Sequence, residues 1–125
     1  MDLFVKICGC TSAPMAAEVS ALGPDAVGFV FWPRSSRAVS PAEVGAWETA
    51  PGVLRVGVFV DEAPERVADA VRAARLDVVQ LHGEEDPAVF AGVAGALWQV
   101  VRFDRANARA PDGVDACLVD HYSKA

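Results

Sequence analysis

The sequence is poor in cysteine and has no cluster of basic residues. Only Cys8, Cys10 and Cys117 occur among its 125 residues, and none stands in a Cys-x-x-Cys pair. An odd number at such spacing offers neither a disulfide framework nor a zinc ribbon. Cys8 and Cys10 with His82 make three potential ligands at unremarkable spacing, so no metal is expected. Eleven Lys and Arg against 17 Asp and Glu give a net charge of −6. Without a basic stretch there is no electrostatic footprint for nucleic acid or an anionic membrane. An anionic small molecule would have to be met by local cations. No apolar run approaches the ~18 residues of a membrane span. Met1-Asp2-Leu3 leads towards a strand without the basic and apolar regions of a signal peptide, so a cytoplasmic location is expected.

What the chain does have is 53% hydrophobic residues, enough for a sizeable core. Residues 1–125 are expected to form a single domain, with no linker and no self-similarity beyond a βα rhythm. Short β-branched runs alternate with alanine-rich segments, the pattern of βα units on a parallel sheet. Strands are expected at Val5–Cys8, Ala26–Phe31, Leu54–Val60, Val78–His82, Leu97–Arg102 and Ala116–Asp120. Between them, Ser12 with Pro14 starts a helix that Gly23-Pro24 ends. Ser40-Pro41-Ala42-Glu43 reads as a capping box for a helix running to about Glu48. Pro64 opens a helix with Val67, Val71 and Ala74 on one face, and Asp86-Pro87 caps a short fourth one. The polar region from Asp104 to Asp115 reads as loop with at most one helical turn.

Strand parity separates two architectures. Lys6 and Cys8 oppose Val5 and Ile7, Gln80 and His82 oppose Val79 and Leu81, and Arg55, Gly57 and Phe59 oppose Val56, Val58 and Val60. A doubly wound sheet is covered on both faces and reads as continuously apolar, whereas a βα barrel has helices on one face and an interior that carries polar groups at its mouth. The parity therefore predicts an α/β fold of the (βα) TIM-barrel type, with about six of the usual eight units present. It also gathers Cys8, His82, Arg102 and Asp120 at strand ends on one inner face. A thiol at the C-terminal end of a parallel strand stands where such folds carry catalytic groups, although a free cysteine is equally at home as a small buried hydrophobe. Asp120 likewise suits a helix N-cap. Trp32, Trp47 and Trp98 read as packing residues.

Four blocks in order, Val5-Lys6-Ile7-Cys8-Gly9, Gly28-Phe29-Val30-Phe31 with Pro33, Ser35 and Arg37, Val56-Gly57-Val58-Phe59, and Gln80-Leu81-His82-Gly83-Glu84, resemble the phosphoribosylanthranilate isomerase family. The resemblance runs from about Val5 to Asp120. It implies an isomerase of tryptophan biosynthesis that performs the Amadori rearrangement of N-(5-phosphoribosyl)anthranilate, a small phosphorylated substrate, without a cofactor. It further implies that Cys8 is the general base, that Asp120 is the general acid, and that Arg37 holds the anthranilate carboxylate. Gln80, His82 and Arg102 are expected to line the substrate site. The residue types suit the chemistry: an acid opens the ribose ring, and a thiolate removes the C2 hydrogen of the resulting Schiff base.

The sequence departs from the family pattern after the sixth strand. The glycine-glycine-(serine or threonine)-glycine segment and the two further strands that hold the substrate phosphate are not present. Two other readings follow, a fragment that folds only by pairing with a partner or a second copy and does not turn over, and an open flavodoxin-like binding domain. Cys8-Gly9-Cys10-Thr11 is a poor phosphate or carboxylate loop for the latter. The 125-residue chain alone is expected to self-associate or to be partly molten, and to show no isomerisation because it cannot hold the phosphate.

Overall fold

A computed structural model describes residues 3–102 and 112–120, with 101, 102, 119 and 120 described through the backbone alone. In chain order the elements are β1 (Lys6–Cys8), α1 (Ala13–Ala21), β2 (Ala26–Val30), α2 (Pro41–Gly45), β3 (Leu54–Phe59), α3 (Pro64–Ala74), β4 (Val78–Leu81), a 3-10 turn (Pro87–Phe90), β5 (Ala96–Arg102) and β6 (Ala116–Asp120). The region expected to be a loop between Asp104 and Asp115 lies largely outside the described residues. The helix starts are those expected. Ser12 Oγ accepts from Met15 N at 3.2 Å, Ser40 Oγ accepts from Glu43 N at 3.2 Å, and Asp86 Oδ1 accepts from Ala88 N at 3.0 Å.

The strands form one parallel six-stranded sheet in sequential order, β1-β2-β3-β4-β5-β6. Its two faces differ in what covers them. Val27, Phe29, Phe59, Val79, Leu81 and Leu97 pack with Ala16, Val44, Val67, Ala70 and Ala74 of the helices. The opposite parity makes a separate cluster of Ala26, Val56, Val78 and Trp98, flanked only by other strand residues. Helices on one face of a sequentially ordered parallel sheet are the wall of a βα barrel.

The wall is strongly curled. A flat sheet would hold β1 and β5 about 19 Å apart. Yet Phe4, two residues before β1, meets Trp98 of β5 edge to face with ring centroids 5.5 Å apart, and Lys6 Nζ of β1 donates to Gln80 Oε1 of β4 across the concave side. Trp98 thus fills the lower interior, and Trp47 packs beneath the helices against Phe29. Both are packing residues, as their sequence setting suggests.

One clamp recurs below the sheet. Asp25, Asp77 and Asp115 each precede an even-numbered strand. Each accepts a backbone N–H on its carboxylate, from Val5 at 2.7 Å, Arg55 at 2.9 Å and Leu97 at 2.8 Å. The same aspartates return their own N–H to the carbonyls of those residues at 2.9, 2.8 and 2.7 Å. Charged acceptors make the stronger hydrogen bonds, so each clamp fixes the register of a strand pair at its N-terminal end.

Helix α2 ends at Gly45, short of the expected Glu48. The cause is Arg55, whose side chain lies on the outer face of β3, beneath the helices rather than in the barrel. Arg55 Nη2 donates to Val44 O at 2.8 Å and Ala74 O at 3.0 Å, and Nη1 to Trp47 O at 3.0 Å and Thr49 Oγ1 at 3.1 Å. Arg75, left-handed at the end of α3 with φ 56°, takes Gly45 O at 3.1 Å and Trp47 O at 2.9 Å. The terminal carbonyls of α2 thus go to two guanidinium groups instead of to a further helical turn.

Candidate active site

The C-terminal ends of β1 to β4 open onto a cleft of about 360 Å³ lined by even-parity strand residues and one loop. Lys6 and Cys8 come from β1, Val30 from β2, Val58 from β3 with Val60 just after it, and Gln80 from β4 with His82 following. Trp32, Ser35 and Arg37 come from the loop after β2.

Local chemistry places each group. At the end of β1, Gly9 adopts φ +93°, which a side-chain-bearing residue resists, and the N–H groups of Gly9 and Cys10 both bond to Gly28 O, at 3.0 and 3.2 Å. The chain therefore leaves the sheet immediately after Cys8, whose half-buried thiol stays on the cleft side while Cys10 is fully buried. Burial, followed by the negative charge of a neighbouring Cys8 thiolate, pushes the Cys10 thiol up. The two cysteines have opposite fates, one facing the site and the other the core.

The loop bearing Arg37 is held back against the sheet. Ser35 N donates to Trp32 O at 3.0 Å and Ala38 N to Ser35 O at 3.1 Å, while Val39 N donates to Val30 O at 2.9 Å, beside a parallel bridge between Val30 and Ala38. Ser35 Oγ accepts Arg37 N at 3.1 Å. Arg37 then reaches over the end of β1, with Nη1 3.5 Å from Cys8 O. Its guanidinium keeps most of its donors for a ligand, and a planar fork suits a carboxylate.

At the far wall, His82 is half-buried and donates its backbone N–H to Phe59 O at 2.9 Å. The loops above it are tied together: Glu85 accepts Gly83 N at 2.7 Å and Asp61 N at 2.8 Å, and Asp61 Oδ1 accepts Glu84 N at 3.1 Å. Gln80 forms the floor, buried and joined to Lys6. Burial lowers the Lys6 pKa from its ordinary value, while Cys8, by charge and by hydrogen bonding, acts to raise it. Among the described side chains that line the cleft there are two full cations, Lys6 and Arg37, and no carboxylate. An acidic protein therefore presents a locally positive pocket.

The structure brings Cys8, Arg37, Gln80 and His82 to one space. Arg102 and Asp120 end β5 and β6 as register partners, and their side chains lie outside the described residues. Besides three valines, Val30, Val58 and Val60, three lining residues with polar or aromatic side chains, Lys6, Trp32 and Ser35, were not anticipated as part of the site. Lys6 shares the parity of Cys8, which was the available signal. Ser35 and Trp32 had none beyond proximity to Arg37, and Trp32, 37% exposed, is a wall of the cleft rather than a packing residue. No group of three or more His, Cys, Asp or Glu among the described residues is arranged to hold a metal. No helix among them is long and apolar enough to cross a membrane.

Comparison with known proteins agrees with this arrangement. Residues 5–125 match the family described as N-(5'phosphoribosyl)anthranilate (PRA) isomerase. The N-(5'-phosphoribosyl)anthranilate isomerase of Solibacter usitatus (strain Ellin6076) is 45% identical over 100 residues, 80% of this chain and 49% of that protein. The enzyme of the same description from Trichlorobacter lovleyi is 38% identical over 124 residues, 95% of this chain and 60% of that one. The crystal structure of phosphoribosyl anthranilate isomerase from Thermus thermophilus superposes with a TM-score of 0.84 at 36% identity, covering 98% of this chain and 64% of that one. A phosphoribosyl anthranilate isomerase in complex with reduced 1-(o-carboxyphenylamino)-1-deoxyribulose 5-phosphate gives 0.82 at 37% identity, covering 97% and 66%. The chain spans about half the length of the curated relatives it matches. A sequential parallel wall with its helices outside, a thiol and an arginine at one mouth, and a match across nearly the whole sequence have one common account: the chain belongs to the N-(5'-phosphoribosyl)anthranilate isomerase family.

Proposed function

We propose that this chain supplies the acid–base part of an aldose–ketose isomerase that converts N-(5-phosphoribosyl)anthranilate to 1-(2-carboxyphenylamino)-1-deoxyribulose 5-phosphate, in tryptophan biosynthesis. The observation that carries the reading is the opening of Cys8 and Arg37 onto one positively charged cleft at the C-terminal end of a barrel wall. In this reading Asp120 protonates the ribose ring oxygen, so that the ring opens to a Schiff base. Cys8, as thiolate, then removes the C2 proton, and reprotonation of the resulting enamine system gives the ketose. Arg37 holds the anthranilate carboxylate, Gln80 and His82 line the cleft, and Arg102 stands beside Asp120 in the register. The whole is a single domain acting on a small molecule in the cytoplasm, without a cofactor.

The test is the isomerisation itself, followed by fluorescence in a whole-barrel protein bearing this portion. Cys8→Ala should lower kcat at least ~100-fold with affinity nearly unchanged, because general-base catalysis supplies about 10²–10⁴. Arg37→Ala should act mainly on KM, since a carboxylate clamp binds ground and transition states alike. Near-normal turnover by the first variant would remove Cys8 from its role.

The chain by itself is proposed to self-associate. In its favour, β1 and β6 each pair on one side only among the described residues, and Leu3, Phe4 and Val5 beside β1 are 81, 58 and 48% exposed. Sedimentation giving a monodisperse monomer would refute this.

A further inference from the structure

We propose that Lys6 is a positioning residue for Cys8: its ammonium group, anchored by Gln80, is the counter-charge that keeps the Cys8 sulfur anionic in the cleft. The inference rests on the reading of Cys8 as the base. Lys6 and Cys8 are next neighbours on the inner face of β1, and Gly28 of β2 is the register partner of Cys8. A β-carbon on Gly28 would stand 2.8 Å from Cys8 Sγ and 3.0 Å from Lys6 Cε. The missing side chain of Gly28 is therefore the slot that both groups share.

Beyond that slot Lys6 Nζ donates to Gln80 Oε1, and Gln80 is only 4% exposed. The tether is neutral, so it fixes the ammonium without cancelling its charge. No carboxylate pairs with Lys6 among the described residues. A half-buried cation held by an amide has its field available for the nearest anion, and a thiolate in the same slot is that anion. Burial opposes the charge on Lys6, and interaction with Cys8 restores part of it.

Among the described side chains, the other titratable groups around the sulfur are Arg37, reaching across Gly9 from the loop after β2, His82 at the end of β4, and Cys10. Arg37 is solvent-exposed, so its field is screened, and its donors face the place a substrate carboxylate would take. Cys10 is a buried thiol whose ionisation would only oppose that of Cys8. Lys6 is the cation on the floor beside the sulfur.

The experiment is site-resolved alkylation of this chain with iodoacetamide, read by peptide mass spectrometry at Cys8, Cys10 and Cys117. Near pH 7, Lys6→Met should slow alkylation of Cys8 by about tenfold, and Lys6→Arg should retain most of the rate. The difference should close by about pH 10, where a thiol ionises without help. Cys117 should react alike in all three proteins, and Cys10 should stay protected. An unchanged Cys8 rate in Lys6→Met near pH 7 overturns the proposal, as does an equal slowing at both pH values, which would mark a change of access. If Lys6→Met exposes Cys10, the fold has failed and Gln80→Leu decides. That variant leaves the ammonium untethered and should lower the Cys8 rate several-fold, and no change would overturn the proposal. Alkylation needs no turnover, so a failure of the isomerase reading would show in the isomerisation assay and leave this result standing.

Discussion

Arg37 lies directly across Gly9: a β-carbon on the glycine would stand 2.6 Å from Arg37 Nη1 and 2.7 Å from its Cδ. The glycine also has φ +93°, so two independent demands, one on the backbone and one on space, fall on the residue that follows Cys8.

Gly9→Ala should therefore do two things at once. Left-handed strain should destabilise the fold by about 1–2 kcal/mol, and the displaced guanidinium should raise KM for a substrate carrying an anthranilate carboxylate. Urea unfolding and steady-state kinetics read the two effects separately. A variant with normal KM would show that Arg37 can act from another position.

Arg55 closes the ends of α2 and α3 from below, with its guanidinium also stacked 5.3 Å from the centre of the Phe29 ring. Arg55→Met would take the guanidinium donors from Ala74 O and one donor each from Val44 O and Trp47 O, which keep Trp47 N and Arg75 Nη2 respectively, at a cost of about 1–3 kcal/mol in this buried setting. Arg55→Lys should recover little of this, because a point charge cannot reach carbonyls spread around a planar fork. Denaturant midpoints of the two variants check both statements. Near-equal stability of Arg55→Lys and the parent would contradict them.

The pH dependence of stability should carry the signature of Lys6. Its folded pKa is below the ordinary value, mainly because burial disfavours the charged form. Between the folded and unfolded values the unfolded chain binds more protons, so stability rises with pH in that window. The penalty is fully present below the folded pKa and is relieved as pH climbs through it towards the ordinary lysine value of about 10.4. In unfolding curves from neutral to alkaline pH, the parent should gain stability relative to Lys6→Met. A constant gap would mean that the lysine is not desolvated in the folded protein.

The extent to which these features could be read in the sequence follows the range of the forces behind them. Strand identity and the alternation in β1 and β4 are local, and Lys6, Cys8, Gln80 and His82 do share the inner face that their parity suggested. Strand β3 has the same alternation with the opposite chemistry: its valines face inward, and its arginine serves the helices. No pattern within β3 distinguishes the two cases, because the partners of Arg55 lie in α2 and α3. The early end of α2 has the same origin. Trp32 reads as a packing residue because tryptophan usually is one. Its place on the cleft follows from a loop fold set by Ser35 and the end of β2. Residues 103–111, which include most of the polar loop, lie outside the described part.

The aspartate clamps beneath the sheet recur before β2, β4 and β6 but not before β3 or β5, so they divide the wall into pairs. Within a pair the two strands are locked by side chain as well as by ladder. Between pairs no aspartate of this kind reinforces the ladder among the described residues, although Lys6 of β1 reaches Gln80 of β4 across the interior. A chimera cut between pairs would keep every clamp whole, whereas one cut within a pair would separate an aspartate from the strand whose register it fixes. The natural unit of exchange in this wall is two βα turns, and a single residue at its base marks the seam.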